Sequence, residues 1–373
     1  MRHIFLTLLL TIILSSSVVS APFSVVDRWE TGAGPNAATL ANEGKYLLVC
    51  NSDTDDVTTI NVRTGKIFPA MTVGRVPLAI TTSADGKRAF VACFYEKAVA
   101  VIDVVEGKVL KKVDLAVHPR DLARVGSKIL ATGYYEGELL ALDEQSGEIT
   151  SRLKLAQGIH HLAVHPKEEK AYVLNTSRDA IYEVSVNPLK LQAELGAELE
   201  YGGAWDFVIS PDGSHIIVSQ WNGNRVAIVT TNPLAVKGFC PTGGVGPCAL
   251  DFNDKGTLVA VAQSESNDVA IVDVGNSSLR AVVKVGRFPF SDVKVTDDGR
   301  YALVTADRNG TIDVIDMDKL ELNSQIEVGR TPHVITRGND GLFYISNTFG
   351  ADVVSLVPTG KKGRVFEKLH QEP

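Results

Sequence analysis

The chain is poor in the residues on which most recognisable small-molecule chemistry is built. Of its 373 residues four are cysteine, three are methionine, three are tryptophan, and aromatics make up only 7%. It contains no Gly-x-Ser-x-Gly, no His-Glu-x-x-His, no phosphate-binding glycine loop and no clustered Cys/His motif. A hydrolase nucleophile elbow, a zinc-peptidase helix and a nucleotide cradle therefore each lack their defining residues. Past the first residues, no stretch approaches the roughly 18 apolar residues of a membrane-spanning helix. Basic blocks are missing too: the net charge is -7 with both signs interspersed, which argues against nucleic acid or an anionic membrane as partner.

What is present is ordinary globular composition, 45% hydrophobic and 22% charged, in a chain long enough to bury a large core. Residues 1–21, "MRHIFLTLLLTIILSSSVVSA", carry one Arg, an apolar run from Ile4 to Leu14 and small residues ending Val19-Ser20-Ala21. That is the pattern of a cleaved secretory signal, so the mature protein is expected to begin near Pro22 and to be exported, secreted or periplasmic. Loss of Arg2 then takes the charge from -7 to -8. Export permits disulfides, and Cys240-Pro-Thr-Gly-Gly-Val-Gly-Pro-Cys248 is a glycine-rich loop that could close one. Cys50 and Cys93, inside "YLLVCN" and "AFVACF", read instead as buried free thiols.

Self-similarity decides the fold. "VGRVPLAITTSADGKRAFVACFYEKAVAVIDVVEGKV" from Val73 and "VGRFPFSDVKVTDDGRYALVTADRNGTIDVIDMDKL" from Val285 are two copies of one unit. Markers fall at Pro35, Pro77, Pro119, His160, Ala204, Pro247, Pro289 and Pro332, a spacing of roughly 41 to 44 residues and thus the length of a propeller blade. Each unit holds short Val/Ile/Ala/Leu runs separated by turn signals such as Asp85-Gly86, Asp212-Gly213 and Asp298-Gly299, which read as four strands. The expectation is an all-β, eight-bladed propeller over residues 22–360 with a polar tail at 361–373. The last unit supplies only three strands, so Phe23–Glu30 is expected to complete it and close the ring.

The units "KRAFVACFYEKAVAVIDVVEGKV" and "RYALVTADRNGTIDVIDMDKL" resemble the YVTN-type propeller repeat. The strand endings "LLVCN", "AYVLN" and "FYISN" are degenerate forms of its tetrapeptide. The resemblance covers nearly all of residues 23–358. It implies the fold and leaves function open, because propellers host catalysis, cofactor binding and scaffolding alike.

Propellers bind ligands at the channel mouth, where the innermost strands begin. The residue after each marker is Asn36, Leu78, Arg120, His161, Trp205, Cys248, Phe290 and His333, with Asp121, Asp206 and Asp292 close behind. Plain surface turns would carry small polar residues here, so this ring is the candidate site. The stretch "GIHHLAVHP" from Gly158 holds three of the eight histidines. His165 is read as a solvated turn residue, and His118 lies nearer the mouth. His160 and His161, adjacent on a strand, are expected to face opposite sides and so not to chelate one ion. Arg120 with Asp121 reads as a local ion pair.

The eight-bladed, leader-bearing design is also similar to the d1-haem-binding propellers. That resemblance implies a haem-type macrocycle as cofactor, with His161 and His333 as candidate ligands, Arg120 as partner of its carboxylates, and Trp205, Phe290 and Asp206 around it. Asn36 stands where an axial His would be wanted, and no Cys-x-x-Cys-His is present for a c-type haem. Three functions follow in order: a non-catalytic binding module taking a protein or small-molecule ligand at the channel mouth, a binder of a planar macrocycle, and a propeller lactonase or lyase using Asp121, Asp206 and Asp292.

Overall fold

The computed structural model describes residues 21–359. All of the expected leader except Ala21, and the expected tail 361–373, lie outside the described residues. The eight expected blades are present as eight antiparallel sheets, covering residues 35–72, 77–114, 119–154, 159–195, 204–241, 247–284, 293–327 and, with the N-terminal strand, 332–358. They are numbered 1 to 8 in that order. Each first strand touches the first strands of both neighbouring blades all the way round. The first strands therefore line a central channel.

The residue pattern explains this layering. Second and third strands such as Arg88–Cys93 and Ala98–Asp103 are buried almost throughout, and they read as continuous apolar runs because both faces are covered by neighbouring blades. Outermost strands such as Lys108–Asp114 alternate exposed and half-buried, giving a charged rim. Eight hydrophobic clusters hold the ring, one at each interface between neighbouring blades. Blade 1 departs from the pattern: its outer edge is two short strands, Lys66–Ile67 and Met71–Thr72, both paired with Asp56–Asn61. Pro69 lies between them and has no N–H to donate to a ladder.

The Asp-Gly signals mark the turns on the face away from the mouth. Ser83 Oγ donates to Asp85 Oδ1 at 2.7 Å, Asp85 accepts the Lys87 N–H, and Gly86 follows at φ 63°. Ser210, Asp212 and Gly213 repeat the arrangement in blade 5, with Gly213 at φ 81°. The glycine is there because the turn needs a left-handed backbone.

Closure occurs as expected. Phe23–Glu30 pairs antiparallel with Asp352–Pro358, from Phe23 opposite Pro358 to Glu30 opposite Asp352. Phe23 makes edge contacts with Tyr301 and Phe343 at 5.9 Å, and Trp29 packs on Tyr344. Arg28 pairs with Asp352 and donates to the Val328 carbonyl at 2.7 Å. Deleting residues 22–30 is expected to lower the melting temperature steeply, and Trp29→Ala to cost about 3–5 kcal/mol in denaturant unfolding. Unchanged melting on deletion would show that the ring does not depend on this strand.

Candidate functional site

The innermost strands present more than their own periodicity allows. In seven blades the pairing register shifts just after the first residue, for example between Pro119 and Leu122, Ile159 and His161, and Ala204 and Phe207. Such a bulge inserts an unpaired residue and redirects its neighbour. As a result Arg120 with Asp121, His160 with His161, and Trp205 with Asp206 all line one cavity of about 630 Å³ at the channel mouth. Phe290 with Ser291, and His333, Asn36 and Leu78, are also part of the wall.

Seven of the eight expected ring residues therefore do converge; Cys248 does not. It is fully buried, its Sγ directed at the carbonyls of Ala262 and Pro289, and Ala249 lines the cavity instead. The candidate Cys240–Cys248 bridge is also not formed: both are free thiols. Cys240 packs in the core between blades 5 and 6 and Cys248 in that between blades 6 and 7. Cys50 and Cys93 are buried and free, as expected.

Blade 4 corrects the reading of the histidines. Ile159 pairs with Asn175 as Pro77 pairs with Cys93, so Ile159 and not His160 is the marker. His160 is the counterpart of Arg120, and His161 of Asp121. The bulge turns both rings into the same wall, 4.0 Å apart and roughly perpendicular, instead of to opposite faces. His165 is not solvated either: it is buried, and its Nδ1 accepts the N–H groups of Lys167 and Glu168. His118 stays off the cavity, its Nδ1 2.8 Å from Glu136 and its ring against Phe94 and Tyr135.

The expected Arg120–Asp121 ion pair does not form. Arg120 Nε donates to His160 Nε2 at 3.0 Å, while the Asp121 oxygens accept the N–H groups of Leu122 and, across the blade boundary, Leu162, both at 2.8 Å. Asp292 likewise accepts the Ile335 N–H of blade 8, and Asp251 the Val295 N–H of blade 7. Asp206 breaks the series. Its Oδ1 accepts Phe207 N–H at 2.7 Å, and its other oxygen has no partner among the described residues.

Burial sets the charge states. It lowers His160 to about 2 and His161 to about 4, and lowers His333 as well, so all three imidazoles are neutral at physiological pH. Burial raises Asp206 to about 7, with Asp292 and Asp251 adding to the rise and Lys294 opposing it. Lys294, which the repeat pattern did not single out, sits in the channel and donates to Asp292 at 2.7 Å. Burial opposes its charge, yet Asp292 and Asp251 raise its pKa. Its only sequence signal was a charged residue in an inner strand, "DVKV".

Fold and site together define an eight-bladed propeller with a ligand-sized cavity at the channel mouth. The family model "Lactonase, 7-bladed beta-propeller" matches residues 139–291, less than half the chain and from a family described with one blade fewer. Among solved structures, hydrazine synthase of Kuenenia stuttgartiensis is similar at 17% identity and a TM-score of 0.61, covering 78% of this chain and 97% of that one. A functionally unknown protein from Desulfotomaculum acetoxidans is similar at 16% identity and a TM-score of 0.59, covering 72% and 90%. These likenesses show the propeller fold. No curated protein matches the chain.

Because the folded pKa of Asp206 lies above the ordinary 3.8, the native state holds a proton that the unfolded chain has lost between those values. Its ionisation therefore penalises folding fully above about pH 7, and the penalty fades as pH falls toward about 4. Asp206→Asn is expected to raise the melting temperature at about pH 8, with the gain shrinking by about pH 5. A gain independent of pH, measured by thermal unfolding across that range, would contradict the assignment.

Proposed function

We propose that this protein is a non-catalytic binding propeller, exported after loss of its leader, that takes a small-molecule ligand at the mouth of its central channel. One observation carries the reading: the blades deliver to a single cavity an arginine without a carboxylate partner, a carboxylate with a free oxygen, neutral imidazoles and an aromatic wall. Concave sites with a few uncommitted polar groups and aromatic surface are where small ligands bind. A lactonase reading needs its carboxylates available. Asp121 and Asp292 are instead engaged by backbone N–H groups of the next blade, and among the described residues no group of three His, Cys, Asp or Glu is placed to hold a metal.

A planar macrocycle is the second reading, favoured by the neutral state of His161 and His333, the form of imidazole that ligates a metal. His160 fits less well, since its Nε2 is taken by Arg120. In this reading His161 or His333 would hold the metal centre and Arg120 a carboxylate; the macrocycle would supply the redox chemistry. A visible spectrum of the exported protein with added haem, showing a Soret band that His161→Ala and His333→Ala weaken, would support this reading over the first.

The primary test is equilibrium dialysis of the mature protein against a metabolite extract, with retained molecules identified by mass spectrometry. Wild type is expected to retain at least one small molecule that Trp205→Ala and His161→Ala lose. His161 lines the cavity and makes no side-chain hydrogen bond among the described residues, so His161→Ala should cost less than the roughly 1–3 kcal/mol of a lost buried bond. Retention of nothing, or retention indifferent to both variants, would overturn the proposal.

A further inference from the structure

The cavity has two charged poles that make no direct salt bridge among the described residues. The first is Arg120. Its Nε donates to neutral His160, and no carboxylate among the described residues forms a salt bridge with it; Asp121 beside it accepts two backbone N–H groups and supports the guanidinium charge through space. A guanidinium presents five donors in a plane, and here one of them is anchored to a fixed imidazole. What remains is a fork for a carboxylate. Burial acts against the guanidinium charge, which an arriving anion would offset.

The second pole is Asp206 with the aromatic wall beside it. Trp205 is 42% exposed and touches Trp221 and Phe290 at centroid distances of 5.1 and 5.6 Å, with Trp221 and Phe290 5.8 Å apart. No Lys or Arg among the described residues stacks on these three rings, whereas nearby Phe288 already carries Arg308 at 4.7 Å. The counterparts Asp121 and Asp292 use their second oxygen to cap the next blade; Asp206 keeps that oxygen uncommitted. Aromatic faces attract an ammonium group, most strongly a methylated one whose hydration is weak, and an arriving cation favours the ionised form of Asp206 that burial disfavours.

We infer that the ligand is a dipolar small molecule, its ammonium or trimethylammonium group held by Asp206 and the Trp205–Phe290 wall and its carboxylate held by Arg120. This rests on the channel-mouth reading above and assigns the class of ligand. Both poles line one cavity of about 630 Å³, so a single small molecule can engage them together. The neutral histidines between Arg120 and Trp205 in chain order add no charge there, and Lys294, a cation that also acts on Asp206, is salt-bridged to Asp292.

Titration calorimetry of the mature protein tests it with ω-amino acids from glycine through δ-aminovalerate to ε-aminocaproate, each also as its N-trimethyl form. Alkyltrimethylammonium ions and fatty acids of matching length supply the single-pole controls. The best dipolar probe is expected to bind about tenfold or more tightly than either control of its length. Arg120→Gln should reduce it to the level of the ammonium control, and Asp206→Asn to that of the carboxylate control. Trp205→Leu should weaken ammonium-bearing probes alone. If a variant melts early, the comparison of probes on wild type still decides. Equal binding of single-pole and dipolar probes, or binding of none, would overturn the inference. Should no probe bind while dialysis still retains a metabolite, the ligand class falls and the channel reading stands; should dialysis also retain nothing, both fall.

Discussion

The arrangement of the channel depends on a hydrogen bond that crosses from one blade to the next. Asp121, Asp251 and Asp292 each reach from an innermost strand to a backbone N–H on the innermost strand of the following blade. At the rim, Asp55 caps Val76, Asp179 caps Gly203 and Ala204, and Asn267 caps Phe288. Apolar clusters between blades supply cohesion, but apolar contact is non-directional. The caps satisfy N–H groups that an innermost strand, as the inner edge of its sheet, leaves unpaired, and an unpaired buried N–H is costly. They therefore fix how each blade is turned about the axis.

That constraint also determines where binding capacity is left over. Carboxylates used as caps are not available to a ligand, and Lys294 is neutralised by Asp292. Among the described residues, Arg120 bonds to His160 and the Asp206 carboxylate to its own strand, and neither reaches the next blade as a cap. The bulges place these groups beside aromatic rings in one cavity. Site and scaffold thus draw on the same strand position and differ in whether the side chain has a partner in the next blade.

Much of this was legible beforehand because repetition exposes it. Pro35, Pro77, Pro119, Pro247 and Pro332 begin innermost strands as their spacing implied, and the ring built on them includes Arg120, Trp205, Phe290 and His333, which line one cavity. Ala204 begins its strand as well, but blade 4 slipped by one residue, so that His160 takes the position read for His161 and His161 the one after it. Strict alternation also hid the bulge, which depends on the packing of eight strands round an axis and not on any local pattern. Cys248 was misplaced because it is a small apolar member of the ring, and burial of a thiol is favourable. His165 looked like a solvated turn because the cap it provides, two backbone N–H groups on one imidazole nitrogen, leaves no trace in residue type.

The division between structural and uncommitted carboxylates is most directly tested by comparing Asp121→Ala with Asp206→Ala in denaturant unfolding at neutral pH. The two residues occupy the same strand position in blades 3 and 5 and differ in the cross-blade bond. Asp121→Ala should lose about 1–3 kcal/mol more than Asp206→Ala, the cost of leaving the Leu162 N–H unpaired. Equal losses would contradict the claim that these carboxylates do different work.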